Sequence, residues 1–234
     1  MEGQYDRFKT APWFKPDLNI ILGGCGGGGT YLMHYLSKLD FNIYAFDNDV
    51  FSAENIGCQL FDKKYIGKNK AASCSQMTKD YSDSYKVNSM RFYSEDSIID
   101  NIVFCAFDSM HSRKIIFDKW KAYQLSKTPE YRKEHPDEIN WFSDTRVTAE
   151  TAIMYFINSS DDIKRYEEEF FSDSEASETT CSLRSTSHCN AISAGYEIAA
   201  FTNHITNKLA GYEIREVPFK MEIILPLLTQ TIIR

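Results

Sequence analysis

The chain lacks any apolar run approaching ~20 residues, so no transmembrane helix is expected. It also lacks an excess of basic residues: 26 Lys and Arg stand against 33 Asp and Glu, a net charge of −7. That balance disfavours wholesale binding to nucleic acid or to an anionic membrane. The start, Met1-Glu2-Gly3-Gln4-Tyr5, carries neither the basic residues nor the apolar core of a signal peptide, and a cytoplasmic location is the default expectation. None of the six cysteines, at 25, 58, 74, 105, 181 and 189, forms a C-x-x-C pair. They read as reduced thiols rather than a disulfide framework, with Cys105 in an apolar, core-like segment. There is no G-x-S-x-G nucleophile elbow, so nothing supports a Ser-His-Asp set. Internal repeats and low-complexity segments are absent as well.

What remains is an ordinary globular composition, 43% hydrophobic and 25% charged over 234 residues, enough for one large domain. Its most informative stretch is Gly23-Gly24-Cys25-Gly26-Gly27-Gly28-Gly29, directly after the apolar segment Leu18–Leu22. Glycines let the backbone turn tightly and bring N–H groups close to a bound anion. The spacing of Leu32, Tyr35, Leu36 and Leu39 predicts a helix over Thr30–Leu39, its positive end aimed at the same spot. Asn42–Phe46 reads as a second strand ending at Asp47, which completes a β-α-β unit with parallel strands. Further strands are predicted at Ser89–Tyr93, Ile102–Ala106, Ile139–Phe142 and Thr151–Ile157, and helices at Lys68–Tyr81, Met110–Gln124 and His188–Leu209. Ser126–Glu138, polar with two prolines, reads as a surface loop. The acidic stretch Asp161–Glu178 reads as a solvated helix plus loop, and Glu216–Ile233 as β-rich chain closing the sheet. The alternation of strands and helices implies one α/β domain.

Strand, glycine turn and helix start make a phosphate site, and a nucleotide is the expected ligand. Asp47 stands where a carboxylate can accept from ribose hydroxyls, although Asp47 and Asp49 also suit a plain turn. Asp108 suits either a ligand role or the N-cap of the helix that follows it. The longer pattern is more specific. Asp47-Asn48-Asp49-Val50 is followed by Asn55-Ile56-Gly57-Cys58-Gln59, then by Gly67-Lys68-Asn69-Lys70-Ala71 and later by Asp108.

This order resembles the ThiF/MoeB/E1-like adenylyltransferases, whose pattern is D-x-D-x-V, N-x-x-R-Q and a G-x-x-K-A helix start. The resemblance spans about Leu18 to Arg113. A looser likeness to a branch found in phages and mobile elements continues through Asp108-Ser109-Met110, Arg113-Lys114, Asp144-Thr145-Arg146, Glu150, Tyr166, Cys181 and Ala194-Gly195. It implies a Rossmann-like fold: a mostly parallel central sheet flanked by helices, with a β-rich C-terminal extension. It also implies one domain over 1–234, with a nucleotide-binding half at about 15–125 and a partner or substrate half at about 139–234.

Family members bind ATP and magnesium and attach AMP to a carboxylate, usually the C-terminus of a ubiquitin-like or sulfur-carrier protein. They are generally homodimers. By that resemblance Gly24, Gly26 and Gly27 line the adenosine and phosphates, and Asp47, with Asp49 beside it, holds the ribose. Asn55 and Gln59 organise the phosphate pocket, Lys70 contacts the phosphates and Asp108 ligates magnesium. Many relatives carry two C-x-x-C zinc knuckles; with none here, no structural zinc is expected.

The chain departs from the pattern at one position. Cys58 stands where the family has the arginine of N-x-x-R-Q, and a thiol supplies no fixed cation. Arg146, Arg184 or Arg113 replaces it in space, or nucleotide binding outlives a weakened adenylation, or Cys58 is itself reactive. Cys181, in a polar loop beside Arg184, is the best-placed thiol to accept an acyl group. The nucleotide reading thus has three forms. It is an adenylyltransferase, with Lys70, Asp108, Arg146 and Cys181 as the catalytic candidates, or a non-adenylating binder of nucleotide and partner. The third, an NAD-dependent oxidoreductase, leaves Asn55–Gln59 and Gly67–Lys70 without a use.

Overall fold

A computed structural model describes residues 3–79, 87–90, 94, 96–170 and 185–234. Cys181 and Arg184 lie outside the described residues, as does the acidic stretch beyond 170. The chain begins with a β-α-β unit: β1 (Asn19–Gly23), α1 (Gly27–Leu36) and β2 (Asn42–Phe46). After it come α2 (Lys70–Met77), β3 (Val87–Met90), β4 (Ile102–Cys105), α3 (Met110–Ser126) and α4 (Pro129–Glu134). The rest is β5 (Trp141–Thr148), β6 (Thr151–Ile157), α5 (Ser160–Glu167), α6 (Ser187–Ala210), β7 (Lys220–Ile224) and β8 (Thr229–Ile233).

All eight strands form one sheet in the order β3-β2-β1-β4-β5-β6-β7-β8. The pairs from β3 through β5 are parallel, and those from β5 onward are antiparallel. This is the α/β class expected, with the antiparallel extension at the C-terminal side. The central parallel strands β1 and β4 are buried on both faces, as parallel sheets require, whereas the edge strand β8 is exposed. Alternation along each strand divides the core. Ile20, Leu22, Ile102 and Phe104 pack with Leu32 and Leu36 of α1, Cys74 of α2 and Phe201 and Ile205 of α6. On the other face Ile21, Val103 and Phe142 pack with Ile116, Phe117 and Trp120 of α3 and Tyr166 of α5.

Several boundaries differ from the sequence reading. Helix α1 starts inside the glycine run at Gly27, three residues early. Helix α2 starts at Lys70 rather than Lys68, because the Asn69 side chain accepts from Ala72 N and fixes the cap there. The supposed loop Ser126–Glu138 contains α4, with Thr128 as cap and Pro129 in the first turn, a start signal that the loop assignment overlooked. Strand β5 continues to Thr148, so Asp144, Thr145 and Arg146 are strand residues. Among the described residues, no helix is long and apolar enough to cross a membrane.

Candidate functional site

The parallel strands end together, and the helices that follow begin there. At the β1/β4 boundary the chain order reverses, and open α/β sheets bind ligands in the crevice outside such a point. A cleft of about 930 Å³ occupies it, walled by the starts of α1, α3 and α6 and by Lys70 at the start of α2. Gly24, Gly26, Gly27, Asp47, Asp49, Asn55, Gln59, Lys70 and Asp108 all line this one cleft.

The glycine loop needs its glycines at particular points. Gly24 has φ +91, and a side chain there would meet the Ala106 carbonyl oxygen at 2.5 Å. At Gly29 a Cβ would lie 2.0 Å from the Gly24 carbonyl oxygen, backbone against backbone. At Gly26 it would meet nothing within 4 Å, which leaves that side of the loop open to the cleft.

Asp47 holds the loop in place. Its Oδ2 accepts from Cys25 N at 2.7 Å and its Oδ1 from Asp49 N at 2.8 Å. Burial nevertheless raises its pKa above the ordinary carboxylate value, against those two bonds and the nearby Lys70 ammonium. Lys70 donates to Asp49 Oδ2 at 2.8 Å. Burial would lower the Lys70 pKa, but the Asp49 bond and the charges of Asp47, Asp49 and Asp108 outweigh it and raise the value. Lys70 therefore stays a cation at neutral pH. Asn69 ties the acidic turn to α2 by donating to the Asp47 and Asp49 carbonyls at 2.9 and 3.1 Å.

Asn55 turns its side chain inward, where its Oδ1 accepts from Ser52 N and Ser52 Oγ, both at 3.0 Å. It shapes the turn that carries Cys58 and Gln59. Gln59 is buried and its Oε1 has no partner. Asp108 lies exposed at the end of β4, and the cap of α3 is taken by Ser109, whose side chain accepts from Ser112 N at 3.1 Å. The capping role open to Asp108 in the sequence thus falls to its neighbour, which leaves the carboxylate facing the cleft.

The arginine candidates separate clearly. Arg113 lines the cleft, whereas Arg146 does not contribute to its wall. Arg113 Nη1 donates to Asp144 Oδ1 and, at 3.2 Å, to the Thr145 carbonyl. Arg146 Nε donates to Asp144 Oδ2 at 2.7 Å, and its guanidinium lies 4.6 Å from the centre of the Tyr155 ring. Tyr166 adds a third bond to Asp144, at 2.8 Å.

On the other face of β5, Glu197 of α6 is fully buried and accepts from Ser143 Oγ and Thr145 Oγ1, both at 2.5 Å. Burial pushes its carboxyl up to about 7, against those two bonds. Asn190, buried in the first turn of α6, donates to the Cys58 carbonyl at 3.0 Å. Asn190 and Glu197 escaped the sequence reading. Their only signal there was a polar residue on an otherwise apolar helix stripe.

The geometry fits the phosphates of a nucleotide, with helix starts, an open glycine edge and a paired lysine around one space. Among the described residues no group of three or more His, Cys, Asp or Glu side chains is arranged to hold a metal ion. A single carboxylate such as Asp108 still suits magnesium, which is held through one or two carboxylates with substrate phosphates and waters.

The ThiF family matches residues 16–222. The chain belongs to the ThiF family. Solved structures similar to this ThiF-family chain include MccB of E. coli with succinimide, at 14% identity and a TM-score of 0.66, covering 99% of this chain and 71% of that one. MccB of E. coli with ATP gives 14% identity, a TM-score of 0.65 and the same coverage. PaaA gives 15% identity and a TM-score of 0.63, covering 92% of this chain and 62% of that one. At such identities the likeness is one of fold. No curated protein matches the chain.

Proposed function

We propose that this ThiF-family chain is an ATP-dependent adenylyltransferase that activates a carboxylate. The carrying observation is the convergence of the glycine loop, Asp47, the Asn55–Gln59 turn, Lys70 and Asp108 on one cleft. The fold relative MccB has been solved with ATP, with AMPCPP together with MccA, and with N-formylated MccA. Those complexes favour the C-terminus of a peptide or small protein as the substrate class, and a ubiquitin-like or sulfur-carrier protein fits the family.

A carboxylate is a poor electrophile. In the proposed reaction its oxygen attacks the α-phosphorus of ATP, the bond from that phosphorus to the bridging oxygen breaks, and pyrophosphate leaves with the electron pair. Such a reaction asks the protein for positioning and charge stabilisation, with little covalent chemistry. The starts of α1 and α3 offer N–H groups to the phosphates. Lys70 offers a point charge. Asp47, already bonded through both oxygens, keeps further lone pairs for ribose hydroxyls. Magnesium, when bound at Asp108, would neutralise phosphate charge. A role for Cys181 as acyl acceptor, and the homodimer typical of the family, belong to the same proposal; Arg146, off the cleft wall, takes no direct part in it.

A second reading has its own observation. Cys58 lines the cleft where the family pattern has an arginine, so the chain could bind ATP and a partner without adenylating it. Exchange of labelled pyrophosphate into ATP separates the two. Exchange that needs a carboxylate substrate supports the enzyme, and tight ATP binding with no exchange supports the binder. Tight NAD binding with no ATP binding would contradict both.

A further inference from the structure

The β7-β8 hairpin turns at the same end of the sheet as the cleft. Thr148 of the cleft wall pairs with Thr151, Thr151 with Ile224, and Ile224 with Thr229. Leu225 N donates to the Glu150 carbonyl at 3.0 Å, which ties the hairpin turn to the turn between β5 and β6. This hairpin turn, residues 225–228, holds two leucines in water. Leu227 is 67% and Leu228 91% exposed. Leu228 also has φ +50, a left-handed conformation that a leucine rarely adopts.

Strand β8 is exposed along its whole length, and among the described residues no strand pairs with its outer edge. Proteins commonly blunt such an edge with charge or proline, and Thr229–Ile233 carries neither. Helix α6 extends this surface toward the cleft. Ile192 and Tyr196, both exposed, are one turn apart on one face of the helix. Tyr196 Oη donates to Gln230 Oε1 at 2.8 Å, so that face stands beside β8. The exposed Ile232 lies on the same side of the strand as Gln230. Asn190, two residues before Ile192, is already in the cleft wall. Single exposed apolar residues are ordinary, but a cluster of this kind beside a site marks an interaction surface.

We infer that this surface seats the body of the carboxylate-bearing substrate, a small protein with an apolar face, whose C-terminal tail runs extended into the cleft. The inference rests on the adenylation reading above. Position selects this occupant, because the carboxylate must arrive in the cleft and the apolar surface begins at the cleft wall. Strand β8 stands four inter-strand steps from β4, roughly 19 Å, which an extended tail of about six residues spans. A small acid or a short free peptide would fill the cleft and leave the surface uncovered.

Kinetics of labelled-pyrophosphate exchange by the full chain test it. One substrate is a β-grasp protein ending in Gly-Gly, and the other is a synthetic peptide of its last six residues. Leu228→Lys and Ile192→Lys should each raise the KM of the protein by roughly 10-fold or more, the scale of losing one apolar anchor. Both should leave kcat, ATP affinity and the KM of the peptide within twofold of the parent. The two side chains are exposed, so melting within a few degrees of the parent is expected. An unchanged KM for the protein in both variants overturns the inference alone, as does an equal rise for protein and peptide. Exchange with peptides but with no such protein does the same. A parent dimer that Leu228→Lys dissociates in sedimentation assigns the surface to a second copy and also overturns it. ATP binding without exchange for any carboxylate overturns the adenylation reading and this inference with it.

Discussion

Asn190 Nδ2 donates to the carbonyl of Cys58 at 3.0 Å, so the first turn of α6 holds the turn that carries Cys58 and Gln59. The two residues are 132 positions apart in sequence. A Cβ at Gly27 would stand 2.5 Å from the same Asn190 nitrogen, so this side chain is wedged between the glycine loop and the Asn55–Gln59 turn. The last long helix is thereby part of the site rather than only part of the core.

Asn190→Ala removes that bond and leaves a carbonyl without its partner. Denaturant unfolding should give a loss of about 1–2 kcal/mol with an unchanged m-value. ATP affinity should fall with it, because the turn bearing Gln59 is freed. A variant as stable as the parent, with full ATP affinity, would show that the bond holds nothing in place.

The glycine loop offers a contrast within four residues. Gly29→Ala drives a Cβ to 2.0 Å from the Gly24 carbonyl oxygen, and a loss of about 2 kcal/mol or more is expected in thermal or denaturant unfolding. Gly26→Ala meets no protein atom within 4 Å, so its stability should match the parent while ATP binding weakens. Equal ATP binding by parent and Gly26→Ala would mean that the open edge of the loop does not face the ligand.

Glu197 makes stability depend on pH in a defined window. Its folded value of about 7 lies above the 4.5 of an exposed glutamate. Below pH 4.5 both states hold the proton and nothing is lost. As pH rises from there to about 7 the unfolded chain releases the proton first, and the fold loses up to about 3 kcal/mol. Glu197→Gln keeps the shape and removes the titration. Its stability relative to the parent should grow between pH 5 and pH 8, measured by paired denaturant curves. A difference that stays constant with pH would contradict the assignment.

Much of the site was legible because its signals are local. The glycine run, Asp47, Lys70 and the β-α-β spacing lie within about fifty residues, and each element is fixed by its own pattern of apolar side chains. Helix α4 was equally local in Thr128 and Pro129, but the two prolines of that stretch were weighed as loop markers. The second half was harder for a physical reason. Arg113, Glu197 and Asn190 are polar residues on helices, which in isolation suit a solvated face. Only the docking of α3 and α6 on β5 buries them against Asp144, Thr145 and the Cys58 carbonyl. Arg146 and Arg113 both bond Asp144 on one face of β5, and which of them stands at the cleft depends on how α3 docks there, which no local spacing encodes.

The central claim is adenylyl transfer in this cleft, and pyrophosphate exchange tests it most directly. Labelled pyrophosphate is incubated with the chain, magnesium, ATP and carboxylate-ended candidates, peptides and small β-grasp proteins ending in glycine. The account expects label to enter ATP only when an accepted carboxylate is present. It expects Lys70→Ala and Asp108→Ala to reduce that exchange by roughly 100-fold or more, the scale of removing one transition-state partner. ATP bound tightly, with no exchange in the presence of any of these carboxylates, would contradict it.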